Sequence, residues 1–105
     1  MRRSEDFTAT VRQGTKAARA TVVVHVYPVA GADGAPLVGF VVSKAVGSAV
    51  DRNRVKRRLR HLMRGHMTDL PAGSRVVVRA LPAAVDASAI SLADDLASAL
   101  RRAGA

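Results

Sequence analysis

The stretch from Ser48 to Arg64 constrains the fold most, because it makes a stable helix only if something apolar lies beneath it. Its first residues, Ser48-Ala49-Val50-Asp51, have the form of a capping box: Ser48 accepts from the backbone of Asp51 and the Asp51 carboxylate reaches back. The spacing predicts a helix from about Ala49 to Arg64, stopping near Gly65. At about 100° per residue, Val55, Leu59, Leu62 and Met63 gather in an arc of roughly 100°. Arg52, Asn53, Lys56, Arg57, Arg60 and Arg64 fill the neighbouring arc, and Arg54, His61 and Arg58 continue round the helix. A stripe this narrow cannot form a core by itself, so the helix must lie on a sheet.

Three segments can supply that sheet. Residues 20–27 form a β-branched run in which Val22, Val24 and Val26 face one way and Thr21, Val23, His25 and Tyr27 the other. Pro28 to Pro36, with Gly31 and Gly34 between, reads as a turn-forming link. Leu37 to Ser43 follows as a second strand, expected to pair antiparallel with the first across that link. Arg75-Val76-Val77-Val78-Arg79-Ala80 is the third. A short helix is expected over 4–13, capped by Ser4, with Phe7 and Val11 on one face and Gly14 at its end. A last amphipathic helix is expected near 89–102, marked by Ala93, Leu96, Ala97 and Leu100, with Ser91 and Asp94 as a second capping box. The order α-β-β-α-β-α in 105 residues predicts one domain, 1–105, of the α/β (α+β) class: a small two-layer sandwich of helices on one sheet. Its core must be aliphatic, since Phe7, Tyr27 and Phe40 are the only aromatics.

Charge narrows the function. The chain carries 17 basic and 8 acidic residues, a net +9, which calls for a polyanionic partner. Seven of the basic residues lie between Asp51 and Arg64, where Asp51 is the only acid. An ordinary solvated helix mixes signs in i,i+4 pairs; this one accumulates repulsion that a phosphate backbone relieves. Guanidinium forks suit phosphate and also stack on bases. A membrane-surface helix would want Trp, Phe or a broad apolar face, and this one has neither. The absence of cysteine excludes disulfides, thiolate chemistry and Cys-based zinc sites. His61 and His66 are five apart, a poor ligand spacing, and neither a Gly-rich phosphate loop nor a carboxylate pair is present, so no protein-borne nuclease chemistry and no protein-bound metal are expected. No apolar stretch reaches the ~18 residues of a membrane span, and residues 1–6 run into acids without a hydrophobic signal core, which predicts a cytoplasmic protein with no membrane partner.

Val42-Ser43-Lys44, Gly47 and the helix around Arg52-Asn53-Arg54 resemble the signature of the bacterial ribonuclease P protein family. Ser4-Glu5-Asp6-Phe7 with Gly14 resembles that family's N-terminal helix, and residues 75–80 its late strand. The resemblance implies a ribosomal-protein-like sandwich with a left-handed β-α-β crossover through the basic helix. It also implies a holoenzyme in which this chain, one copy per RNA, binds the catalytic RNA and the 5′ leader of precursor tRNA. The RNA, with Mg2+, then cleaves the leader away. Lys44, Arg52, Asn53, Arg54, Lys56, Arg57, Arg58 and Arg60 match family positions that contact the RNA subunit. Phe7, Val11, His25 and Arg79 match the leader-binding cleft, where an aromatic stacked on an unpaired base contributes ~1–3 kcal/mol. Three positions depart from the family's usual residues: Val11 stands in place of a second aromatic, Ala45 in place of a second lysine, and Ser48 in place of Asn.

Two other readings use the same helix. One is a ribosomal or other structured-RNA-binding protein without a role in tRNA processing. The other is a DNA-binding module, but a helix-turn-helix needs a helix before the recognition helix, and here a strand precedes it; DNA is not expected as a partner.

Overall fold

A computed structural model describes residues 12, 14–29 and 34–104. The helix expected over 4–13, and with it Phe7 and Val11, lies outside the described residues but for Arg12. Four strands and two helices follow: β1 (Thr15–Ala18), β2 (Val22–Tyr27), β3 (Leu37–Val41), α1 (Ala49–Arg64), β4 (Arg75–Ala80) and α2 (Ala89–Arg102). The strands form one sheet in the order β1-β2-β4-β3.

That order corrects the expected hairpin. β3 does not pair with β2; it runs parallel to β4, with Val38 beside Val76 and Phe40 beside Val78. β4 occupies the middle, antiparallel to β2 on its other side, with Val24 opposite Val78. The composition of the strands explains the choice. Val76-Val77-Val78 is apolar on both faces and nearly inaccessible, as suits a central strand, whereas β3 carries Gly39 in its middle and an exposed Leu37, as suits an edge. β3, α1 and β4 thus make a parallel β-α-β unit. β1, absent from the sequence expectation, pairs antiparallel with β2, with Lys16 opposite His25.

One face of the sheet holds the core. Val22, Val24, Val26, Val76, Val78 and Ala80 are buried there, with Val38 and Phe40 packed at the margin. α1 covers it with Val55, Leu59 and Met63, and Leu62 fills in partly, as the helical projection requires. α2 covers the β1–β2 side with Leu92, Leu96, Ala99 and Leu100. This stripe is turned from the expected one: Ala93 and Ala97 are its half-buried flanks, because Leu92 brings far more apolar surface to the same sheet than an alanine does.

The caps fix where each helix begins. Ser48 Oγ accepts from the Asp51 amide at 3.1 Å. The Asp51 carboxylate turns to Arg54 Nη2, also at 3.1 Å, so the expected reach back to Ser48 is replaced by an ion pair. Gly47, at φ +154°, makes the approach to this cap possible. A Cβ at that position would stand 2.9 Å from Asp51 Oδ2 and 3.1 Å from Asp51 Cβ. α2 is capped by Ser88, which accepts from the Ser91 amide at 3.0 Å. Ser91, expected as the cap, is already inside the first turn, since the extended residue that can cap is Ser88. Asp95 has a different task. Its carboxylate accepts from both the amide and the hydroxyl of Thr21, at 3.1 and 2.7 Å, tying α2 to the start of β2.

Candidate RNA-binding surface

The cationic residues of α1 separate into two groups once the helix is seated. Arg52, Asn53 and Lys56 join Val42 and Ala49 in lining a groove between α1 and the chain leaving β3. Asn53 and Lys56 also line a second groove with Arg57 and Arg60. Asn53 and Lys56 are therefore the shared wall of one cationic surface about two helical turns long. Asn53 contributes an amide with both donors and an acceptor within it. Arg52 is half-buried, and its Nε is buried without a hydrogen-bond partner, which leaves one donor of the fork unmet by the protein.

Arg54 and Arg58 line neither groove. Arg54 is held back along the helix by Asp51; an exposed pair of this kind adds little stability, but it orients the guanidinium toward the first turn. Lys44 sits exposed in a single 3-10 turn between β3 and α1, where its carbonyl accepts from the Gly47 amide at 3.2 Å. The family positions named from sequence thus divide. Arg52, Asn53, Lys56, Arg57 and Arg60 come together, while Lys44, Arg54 and Arg58 line neither groove.

The other face of the sheet, away from both helices, carries His25 and Arg79. His25 is buried between its cross-strand partners Lys16 and Val77, and Arg79 stands exposed opposite Val23. Burial, reinforced by the positive charges of Lys16 and Arg79, holds the His25 imidazole below its usual pKa, so it is neutral at neutral pH. Its Nδ1 is buried without a partner. Lys16 is the residue of this face that sequence reasoning missed. Nothing in Thr15-Lys16-Ala17-Ala18 announces a strand, and only its pairing with β2 brings the lysine beside His25. Among the described residues no group of three His, Cys, Asp or Glu stands close enough to hold a metal, and no helix is long and apolar enough to cross a membrane.

A mixed sheet backed by two helices, one of which presents a grooved surface of a single charge, defines a small α/β protein built to bind a polyanion. The family model for ribonuclease P matches residues 1–104, and the chain belongs to that family. It is 56% identical over 109 residues to the ribonuclease P protein component of Streptomyces avermitilis, covering 97% of this chain and 89% of that one. It is 52% identical to the corresponding protein of Nocardioides, across 100% of this chain and 91% of the relative. Its fold superposes on the Staphylococcus aureus RNase P protein with a TM-score of 0.85 at 26% identity, covering 99% and 94% of the two chains. The family provides the protein subunit of a ribonucleoprotein enzyme, so the polyanion is RNA, and the reading as a structured-RNA binder without a tRNA-processing role is not favoured.

Proposed function

We propose that α1 anchors this chain, one copy per complex, on the catalytic RNA of ribonuclease P, while the sheet face away from α1 and α2 takes the 5′ leader of precursor tRNA. The observation that carries the reading is the pair of adjoining grooves in which Arg52, Asn53, Lys56, Arg57 and Arg60 converge without a carboxylate among them. Phosphates seated there relieve the repulsion among the guanidinium groups and release counterions. Lys44, Arg54 and Arg58 widen the same contact. His25, Arg79 and Lys16 line the leader path, with Phe7 and Val11 assigned to it by their family positions. Exposed Lys16 and Arg79, on either side of the buried and neutral His25, give that path charge for the backbone. The RNA, with its Mg2+, carries the cleavage chemistry; no residue of this chain is given a catalytic role. The reaction belongs in the cytoplasm, where precursor tRNA is made.

Reconstitution tests the reading. Added at one equivalent, the folded protein is expected to raise cleavage of precursor tRNA by a bacterial ribonuclease P RNA at low magnesium. No stimulation would remove the tRNA-processing role and leave RNA binding to be explained otherwise. Replacing Arg54 and Arg57 together by Ala is expected to weaken RNA-subunit affinity and flatten its salt dependence, with Arg57 the larger contributor because it lines a groove and Arg54 does not. An unchanged salt slope means α1 is not the contact surface.

A further inference from the structure

We propose that the outer edge of β1 is a second RNA-binding site, taking the ribose–phosphate backbone of the unpaired 5′ leader where it leaves the sheet face away from α1 and α2. The inference rests on the assignment of that face to the leader. A groove of about 380 Å³ runs along this edge, lined by Lys16, Ala17, Ala18, Arg19 and Arg102. Three of its five residues are cations and none is an acid. The carboxylate built into the neighbouring contact, Asp95, is occupied by the Thr21 amide and hydroxyl.

Arg19 is held in place by neutral partners. Its Nε donates to Ser98 Oγ at 2.8 Å and its Nη1 to the Ala18 carbonyl at 3.3 Å. Neither acceptor is charged, so the guanidinium is positioned but not neutralised, and little rotamer freedom remains to be lost when an anion arrives. Ala17 and Ala18 raise no bulk in the groove. β1 is the last strand of the sheet, and among the described residues no strand pairs its outer side. The groove has no aromatic residue, which suits a contact to backbone and not to bases.

Position selects the leader over the catalytic RNA. α1 packs beside β3, at the opposite edge of the sheet, about 14 Å away at a strand spacing of ~4.8 Å. An RNA docked on α1 occupies that far side. On the sheet face away from α1 and α2, Arg79 on β4 and Lys16 on β1 stand exposed on either side of the buried His25, and Lys16 belongs to both that face and the edge groove. Lys16 shares that groove with Arg19 and Arg102.

The test uses holoenzyme reconstituted with an Arg19→Gln, Arg102→Gln protein and precursor tRNAs that differ only in leader length. Affinity should fall several-fold for long leaders and stay unchanged for the shortest. The salt slope for long leaders should flatten by about 0.7 for each phosphate that the variant no longer neutralises. RNA-subunit affinity should be unaltered. Ser98→Ala frees Arg19 without removing its charge and should give a smaller drop with the same length dependence. Equal weakening at every leader length, or weaker assembly with the RNA subunit, would overturn the proposal and assign this edge to the catalytic RNA. No change at any length, with circular dichroism showing folded variants, would overturn it outright. A His25→Gln, Arg79→Gln protein, which leaves every residue of the edge groove in place, separates the two levels. If that variant loses leader affinity and the edge variant does not, the edge site fails and the sheet-face reading stands; if neither loses it, both fail.

Discussion

α1 and α2 solve the same packing problem and present opposite surfaces. Both start at a serine cap, both lie on one side of one sheet, and both bury an aliphatic stripe. On the solvent side they diverge. α1 carries seven Lys and Arg residues against Asp51 alone, while α2 balances Asp94 and Asp95 with Arg101 and Arg102. α2 also turns polar groups inward, to Thr21 and Arg19, using Asp95 and Ser98 as fasteners. The ion pair of α1 is by contrast local, running from Arg54 to Asp51 within the first turns of the same helix. The fold dictates the stripe in each helix; the partner dictates the remainder of α1.

That contrast is breakable at several depths. Leu59→Ala in α1 and Leu96→Ala in α2 remove equally inaccessible side chains, and each should cost about 2–5 kcal/mol in urea unfolding. A much smaller cost for Leu59 would mean that α1 is held by something other than its stripe. Loss of one cap should be milder, about 1 kcal/mol for Ser48→Ala and the same for Ser88→Ala, measured the same way. The surfaces should part company in RNA-subunit binding. Arg57→Gln should lower the log–log salt slope by ~0.9, one phosphate's share, while Arg101→Gln leaves it unmoved; equal slopes would erase the distinction between the helices. The smallest effect is expected away from both, at His25. The folded imidazole titrates below the ordinary value of about 6.5, so the unfolded chain takes up the proton first as pH falls. Stability from this group is complete above that value and declines as pH drops through it. His25→Gln should flatten the decline as pH falls below about 6.5, read from urea midpoints; an undiminished decline would place its origin elsewhere.

The elements are more legible in the sequence than their neighbours in space. Periodicity places α1 at its observed limits and puts Val22, Val24 and Val26 on the core face. Alternation reports which face a residue takes, not which strand lies beside it. The segment that pairs with β4, distant in sequence, therefore reads as the second half of a local hairpin with β2. β1 is invisible in the sequence because its residues, apart from Thr15, have no leaning toward extended structure, and pairing alone makes it a strand. The start of α2 is ambiguous by one turn because Ser88-x-x-Ser91 and Ser91-x-x-Asp94 overlap, and only the backbone angles separate them. For the site, residue types and the helical arc bring out the cationic surface. They cannot divide it into the groove-lining group around Asn53 and the outliers Arg54 and Arg58, a division set by how α1 sits beside the chain after β3.

The central position of β4 also orders events on the ribosome. Until its residues emerge, β1 with β2 is the one native strand pairing available among the described strands, and the apolar stripe of α1 has little of its sheet to lie on. At ordinary elongation rates the interval between the end of β3 and the start of β4 lasts roughly two to seven seconds. Throughout it, Val38 and Phe40 have no strand to lie against. Synthesis of a single late strand then joins the two halves, so a nascent chain stalled before Arg75 displays two unfinished sheet edges to its surroundings.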